Sequence, residues 1–171
     1  SAWAITRIGN IGSLRGVHNA QNAACAVGAA LALGLSLDAI QQGLRSFPGL
    51  AHRMEQVGHQ GRVLFVNDSK ATNVDAAARS IESFGGVVAI VGGRFKGGDL
   101  RDLAGPLRAH GRAVVAIGEA RPLVSEALSP TLPVSEAASL GEAVARAWSL
   151  ARPDGVVLLA PACASFDMFA D

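Results

Sequence analysis

The sequence predicts an α/β protein built on a doubly wound, mostly parallel sheet, preceded by a shorter helical stretch of different character. Three observations carry this prediction. From residue 62 onward, short unbroken apolar runs recur at 63–66, 87–91, 113–117 and 156–159, with a weaker run at 132–134. Unbroken Val, Ile and Leu runs, as opposed to alternating ones, are what strands covered on both faces require. Helical patterns near 74–83, 100–109, 122–128 and 140–151 separate them, and such alternation closes into a parallel, Rossmann-like sheet. Ligands of such sheets bind beyond the carboxyl ends of the strands, so site residues should follow the apolar runs directly.

Taken in order, the first residues hold no complete element. Ile5 to Ile11 read as a strand taken out of its sheet, so the chain is expected to be a piece of a longer protein. Residues 19–33 are rich in Ala, the best helix former, and Gly34 ends the pattern. This stretch is too short to cross a bilayer and reads as a buried helix, with Cys25 in a core. Ser36 caps a second helix to about Ser46, with Leu37, Ile40 and Leu44 on one face. Phe47-Pro48-Gly49 then breaks the chain. The boundary is therefore expected there, with residues 1–49 as one unit and 50–171 as the second. In the last helical pattern, Ser139 and Glu142 form a capping box that marks its start.

Composition narrows the function classes. The 171 residues are 50% hydrophobic and 17% charged, with 15 Lys and Arg against 14 Asp and Glu. The near-neutral balance speaks against a nucleic-acid groove, so any charged ligand must be held by locally placed charge. The two cysteines form no CxxC pair and the four histidines show no metal spacing. No signal peptide opens the chain, and a cytoplasmic location is expected.

The chemistry concentrates after three of the strands. The first run leads into Asn67-Asp68-Ser69-Lys70-Ala71-Thr72-Asn73. A carboxylate there can accept the hydroxyls of a ribose, and a lysine suits a carboxylate or phosphate. The same residues can equally serve the following helix, with Asp68 and Asn73 as Asx-turn and cap, and both readings stay open from the residues alone. The second run leads into Gly92-Gly93-Arg94-Phe95-Lys96-Gly97-Gly98-Asp99, which is neither a Walker A loop nor a GxGxxG fingerprint. Lys96 suits an anionic substrate, whereas Asp99 reads as a helix cap. The last run ends in Pro161-Ala162-Cys163-Ala164-Ser165-Phe166-Asp167. Ser165 can cap a helix or bind substrate, and Cys163 reads as a packed thiol because no activating base is identifiable.

Together, Gly16-x-His18-Asn19-x-x-Asn22, His52-Arg53-x-Glu55, the 67–73 turn, Gly92-Gly93-x-x-Lys96-Gly97 and Pro161-Ala162-Cys163-Ala164-Ser165-Phe166-Asp167 resemble the Mur ligases, from Gly16 to Asp171. The Asp-Ser-Lys-Ala-Thr-Asn turn is similar to that of the branch that adds D-glutamate. The resemblance implies a three-domain enzyme using ATP and magnesium to activate the carboxylate of UDP-N-acetylmuramoyl-L-alanine, which the amine of D-glutamate then attacks. It implies that residues 1–49 end the central ATP-binding domain and that 50–171 form the carboxy-terminal domain, cut short at its end. Nucleotide binding would fall to Asn19, Asn22, Arg53 and Asp68. D-glutamate binding would fall to Lys70, Thr72, Lys96, Ser165 and Phe166. The phosphate loop and the magnesium ligands would lie on the missing amino-terminal and central domains, which leaves this piece inactive alone. A folylpolyglutamate or cyanophycin type of ligase, or a non-catalytic nucleotide-binding module, are the competing expectations. No nucleic-acid or membrane partner is expected.

Overall fold

The computed structural model describes residues 11–164, so the strand expected over 5–11, Ile11 excepted, and Ser165 and Phe166 fall outside the described residues. The chain divides into two compact units, Ser1–Ala51 and His52–Asp171.

In the first unit a 3-10 turn, Gly12–Leu14, leads to α1 (Val17–Ala32) and α2 (Leu37–Ser46). Gly34 takes φ +80 after α1. The Leu35 N–H then donates to the Ala30 carbonyl at 3.1 Å and the Gly34 N–H to that of Leu31 at 3.0 Å, the two bonds of a Schellman stop. Ser36 Oγ accepts the Ala39 N–H at 3.3 Å, so the expected cap of α2 is present. The expected burial is not. Among the described residues of this unit only Leu14, Ala23 and Ile40 are buried hydrophobics, and Cys25 is exposed. Two helices cannot enclose each other, so α1 displays most of its small-residue surface.

The second unit is a six-stranded sheet in the order β1-β2-β6-β3-β4-β5. Its strands are β1 (Glu55–Gln60), β2 (Val63–Asn67), β3 (Val87–Gly92), β4 (Gly111–Ile117), β5 (Val134–Glu136) and β6 (Val156–Leu159). All pairings are parallel except β1 with β2, which joins antiparallel through the two-residue turn Gly61–Arg62. β1 was not expected. It is a polar, exposed edge strand with a bulge between Gln56 and Gly58, so it carries no apolar run to announce it.

The crossovers are α3 (Val74–Glu82), a 3-10 turn Leu100–Leu103 running into α4 (Ala104–His110), α5 (Arg121–Leu128) and α6 (Leu140–Ala151). Val87, Ala89 and Val91 of β3 pack with Ala77 and Ile81 of α3, Leu107 of α4 and Val124 of α5. Val88 and Ile90 face the other way, onto the Ala143, Ala147 and Ala151 stripe of α6. All five apolar residues of β3 have zero exposure, which is the two-sided burial that its unbroken run required.

Candidate functional site

The strand order determines which loops can meet. β6, last in sequence, lies between β2 and β3, and the three run parallel. Their carboxyl ends, Asn67, Leu159 and Gly92, are therefore neighbours, and so are the segments that follow. The β6 segment stitches the other two together. Ala162 N–H donates to the Ala71 carbonyl at 2.9 Å on one side, and Gly92 N–H donates to the Pro161 carbonyl at 2.9 Å on the other. Arg94 and Ala164 exchange both backbone bonds, at 2.8 and 3.0 Å.

Within the β2 turn the polar residues divide by role. Asn67 Oδ1 accepts the Ser69 N–H at 3.1 Å, an Asx-turn that opens the bend. Asn73 caps α3 by accepting the Ala76 N–H at 2.8 Å. The capping expectation thus holds for Asn73, while the Asx-turn belongs to Asn67 and not to Asp68. Asp68 is only 8% exposed, and its Oδ2 accepts the hydroxyl of Ser80 from α3. A buried carboxylate is tolerable only when its oxygens are met by donors, and Ser80 supplies one. Lys70 and Thr72 project from the same turn as exposed side chains.

The β3 loop is shaped by its glycines. A Cβ on Gly92 would lie 2.0 Å from the Ile117 carbonyl oxygen, and one on Gly93 would lie 2.3 Å from that of Ala164. No other residue fits where β3 is pressed between the ends of β4 and β6. Beyond them Arg94 pairs with Glu119, from the loop after β4, through two bonds of 3.1 and 3.3 Å. Phe95 packs on the core and Lys96 is exposed. Gly98 brings the loop back, since its Cβ would come 3.4 Å from Val74 at the start of α3. Asp99 Oδ1 accepts the Arg101 N–H at 2.9 Å, the expected cap. The loop carrying Lys96 therefore closes against the start of the helix that the Lys70–Thr72 turn feeds.

Ala162 stands in the left-handed region at φ +56, and Cys163 beside it is wholly buried as a thiol. Arg53 is exposed and lies between two left-handed residues, His52 at φ +63 and Met54 at φ +51. In the first unit, Asn19 Nδ2 donates to the Arg15 carbonyl at 2.7 Å. Asn19 and Asn22 line a groove of 440 Å³ whose other walls are apolar, Ala23, Ile40 and Phe47 among them.

Of the nine residues expected to bind ligand, Lys70, Thr72, Lys96, Asp68 and Arg53 thus belong to the second unit and Asn19 and Asn22 to the first. Ser165 and Phe166 lie outside the described residues. Asn67, Glu55, Ser80 and Glu119 were not singled out. The first two stood inside quoted motifs, but Ser80 and Glu119 meet the site only through tertiary contact. Among the described residues no group of three or more His, Cys, Asp or Glu stands together in an arrangement that could hold a metal ion. No described helix is long and apolar enough to cross a membrane.

The second unit is thus an α/β domain whose mostly parallel sheet presents exposed cations and a buried carboxylate on its carboxyl-edge loops. The same fold occurs in UDP-N-acetylmuramate-alanine ligase from Thermotoga maritima, with a TM-score of 0.67 at 18% identity over 86% of this chain and 35% of that one. It occurs in folylpolyglutamate synthase from Mycobacterium tuberculosis, solved with ADP, with a TM-score of 0.68 at 20% identity over 87% and 38%. At those identities the likeness is one of fold. The glutamate ligase domain of the Mur ligases matches residues 52–163, and the chain belongs to that family. It is 52% identical over 96% of its length to a UDP-N-acetylmuramoylalanine–D-glutamate ligase from Bradyrhizobium diazoefficiens, and 54% identical over 93% to one from Mesorhizobium japonicum. The chain spans 36% and 35% of the length of those two relatives.

Proposed function

We propose that this chain is the carboxy-terminal, D-glutamate- and nucleotide-binding part of a cytoplasmic, ATP-dependent ligase that adds D-glutamate to UDP-N-acetylmuramoyl-L-alanine in peptidoglycan synthesis. The observation that carries this is the stitched edge: two lysines and a threonine on adjoining loops, in a chain about half identical to ligases of that name. D-glutamate presents two carboxylates, and two cations with a nearby hydroxyl donor suit that charge. In this reading Lys70, Thr72 and Lys96, with Ser165 and Phe166, hold the amino acid. Arg53 and Asp68 hold the nucleotide, Asp68 by accepting from the ribose and Ser80 by keeping that carboxylate oriented. Asn19 and Asn22 frame the adenine, residues 1–49 being the end of the ATP-binding domain and 50–171 the carboxy-terminal domain.

What these residues contribute is binding and orientation. They bring the amine of D-glutamate onto an activated carboxylate and keep water from it, which is worth several powers of ten in effective concentration. Magnesium, where bound, neutralises phosphate charge, and its ligands belong to the rest of the protein. The test is amide formation by the full-length protein across a panel of acceptor amino acids. D-glutamate should be used, and Lys70→Ala should raise KM for D-glutamate about 100-fold while moving that for ATP by less than about threefold. Preference for another acceptor would favour the folylpolyglutamate type of ligase, and an unchanged KM for D-glutamate would remove Lys70 from the site. The present chain alone should release no phosphate from ATP.

A further inference from the structure

The segment entering β1 and the turn leaving β2 are hydrogen-bonded into one unit by side chains that bind no ligand in the account above. Glu55 and Asn67 face each other as the first residue of β1 and the last of β2. Asn67 Nδ2 lies 3.0 Å from His52 Nδ1 and donates to Glu55 Oε2 at 3.4 Å, while its Oδ1 accepts the Ser69 N–H. That orientation is forced. A flipped amide would set its oxygen against the carboxylate and abandon the Ser69 N–H. His52 Nδ1 must then accept, which places the imidazole proton on Nε2.

The backbone of His52 completes the ring. Its N–H donates to Glu55 Oε2 at 2.8 Å, and its carbonyl accepts the Lys70 N–H at 3.2 Å. His52 and Met54 hold left-handed conformations that residues with a Cβ avoid, so surrounding bonds must impose them. Arg53 is the residue between them, and Lys70 is the third residue after Asn67. One cluster therefore sets the backbone from which both cations project.

We propose that Asn67 is a positioning residue that holds the Arg53 and Lys70 segments in one register, so that nucleotide and D-glutamate are bound by a single coupled edge. The proposal rests on the ligand roles given to Arg53 and Lys70 above. It predicts a pattern that loss of stability alone does not produce: one substitution, touching neither ligand, weakens both.

The experiment measures KM for ATP and for D-glutamate, with kcat, in the full-length ligase. Arg53→Ala and Lys70→Ala should each raise chiefly their own KM. Asn67→Ala should raise both by about tenfold with kcat changed less than about threefold. Asn67→Asp keeps the acceptor for the Ser69 N–H but sets a carboxylate against Glu55, and it should raise both as well. His52→Ala should do the same, and His52→Asn should restore most of the loss. Asn tolerates the left-handed backbone and carries an acceptor near the Nδ1 position. If Asn67→Ala does not fold, the His52→Ala and His52→Asn pair decides the matter alone. Should Arg53→Ala and Lys70→Ala move their own KM values while the Asn67 and His52 variants move one ligand only, or kcat only, the coupling is refuted and the site assignment stands. Should neither Arg53→Ala nor Lys70→Ala move a KM, the site assignment fails and the coupling with it.

Discussion

The two units obey the same local rules and differ in what those rules achieve. In the first, α1 ends in a complete Schellman stop and α2 begins at a satisfied serine cap, yet only three hydrophobic residues among those described are buried. In the second, caps of the same quality at Asn73 and Ser139 open helices that close over a strand of zero exposure. Caps and stops are worth about 1 kcal/mol each and decide where a helix begins and ends. Whether it is buried depends on what the remaining chain brings against it. Leu33 at 80% exposure and Val17 at 78% show how far the first unit is from a core of its own.

The sharpest way to break this contrast is to place the same methyl group in both units. Gly93→Ala sets a Cβ 2.3 Å from a carbonyl oxygen at φ +127. It should cost more than about 4 kcal/mol or prevent folding of the α/β unit, read by urea unfolding. Gly28→Ala and Gly43→Ala, within α1 and α2, meet nothing within 4 Å. Each should stabilise its helix by up to about 1 kcal/mol. A neutral Gly93→Ala would mean that the β3 loop is not pressed against β6 as described.

Truncation of side chains gives the next largest difference. Ile90→Ala empties a fully buried position on β3 and should cost about 2–5 kcal/mol. Leu33→Ala should fall within about 0.5 kcal/mol in this chain. In the full-length protein the assignment of residues 1–49 to a larger ATP-binding domain predicts a larger cost for Leu33→Ala. Equal costs in both settings would count against that assignment.

The smallest effect is electrostatic and confined to the second unit. The backbone N–H of Ala138 and then the Arg146 guanidinium hold the Glu142 carboxyl below its ordinary value, and a hydrogen bond from Arg112 does the same for Asp154. A carboxyl whose pKa is lower in the folded state contributes stability at neutral pH and loses it as pH falls through the folded value. Unfolding midpoints should therefore be flat from pH 8 to about 5 and decline slightly below about pH 4, with Arg112→Ala removing part of the decline. Both groups are solvent-exposed, so added salt should shrink the effect. A midpoint that rose on acidification would contradict the sign.

Much of this was readable from residue order because it depends on neighbours in the chain. The unbroken run at 87–91 announced a strand covered on both faces, and Asn73, Asp99 and Ser139 announced their caps. The polar edge strand β1 carried no such sign, since it is paired on one side only and exposed along most of its length. Asp68 was legible as a carboxylate at a strand end, but its partner Ser80 is twelve residues away, on the helix that packs back over the strand. Glu119 and Arg94 are joined across twenty-five residues, a separation at which sequence carries no contact signal.

By itself, then, the sequence determined the alternation of strands and helices, the caps and stops, and the three loops in which chemistry was to be sought. These follow from φ/ψ preference, side-chain reach over a few residues, and hydrophobic runs. Only the tertiary structure decided that β6 inserts between β2 and β3 and so makes those three loops neighbours. It alone decided that Gly92 and Gly93 are required by contact and that Asn67 and not Asp68 bends the turn. Each of these depends on which distant segment arrives at a given place, and that is settled by packing the whole domain at once.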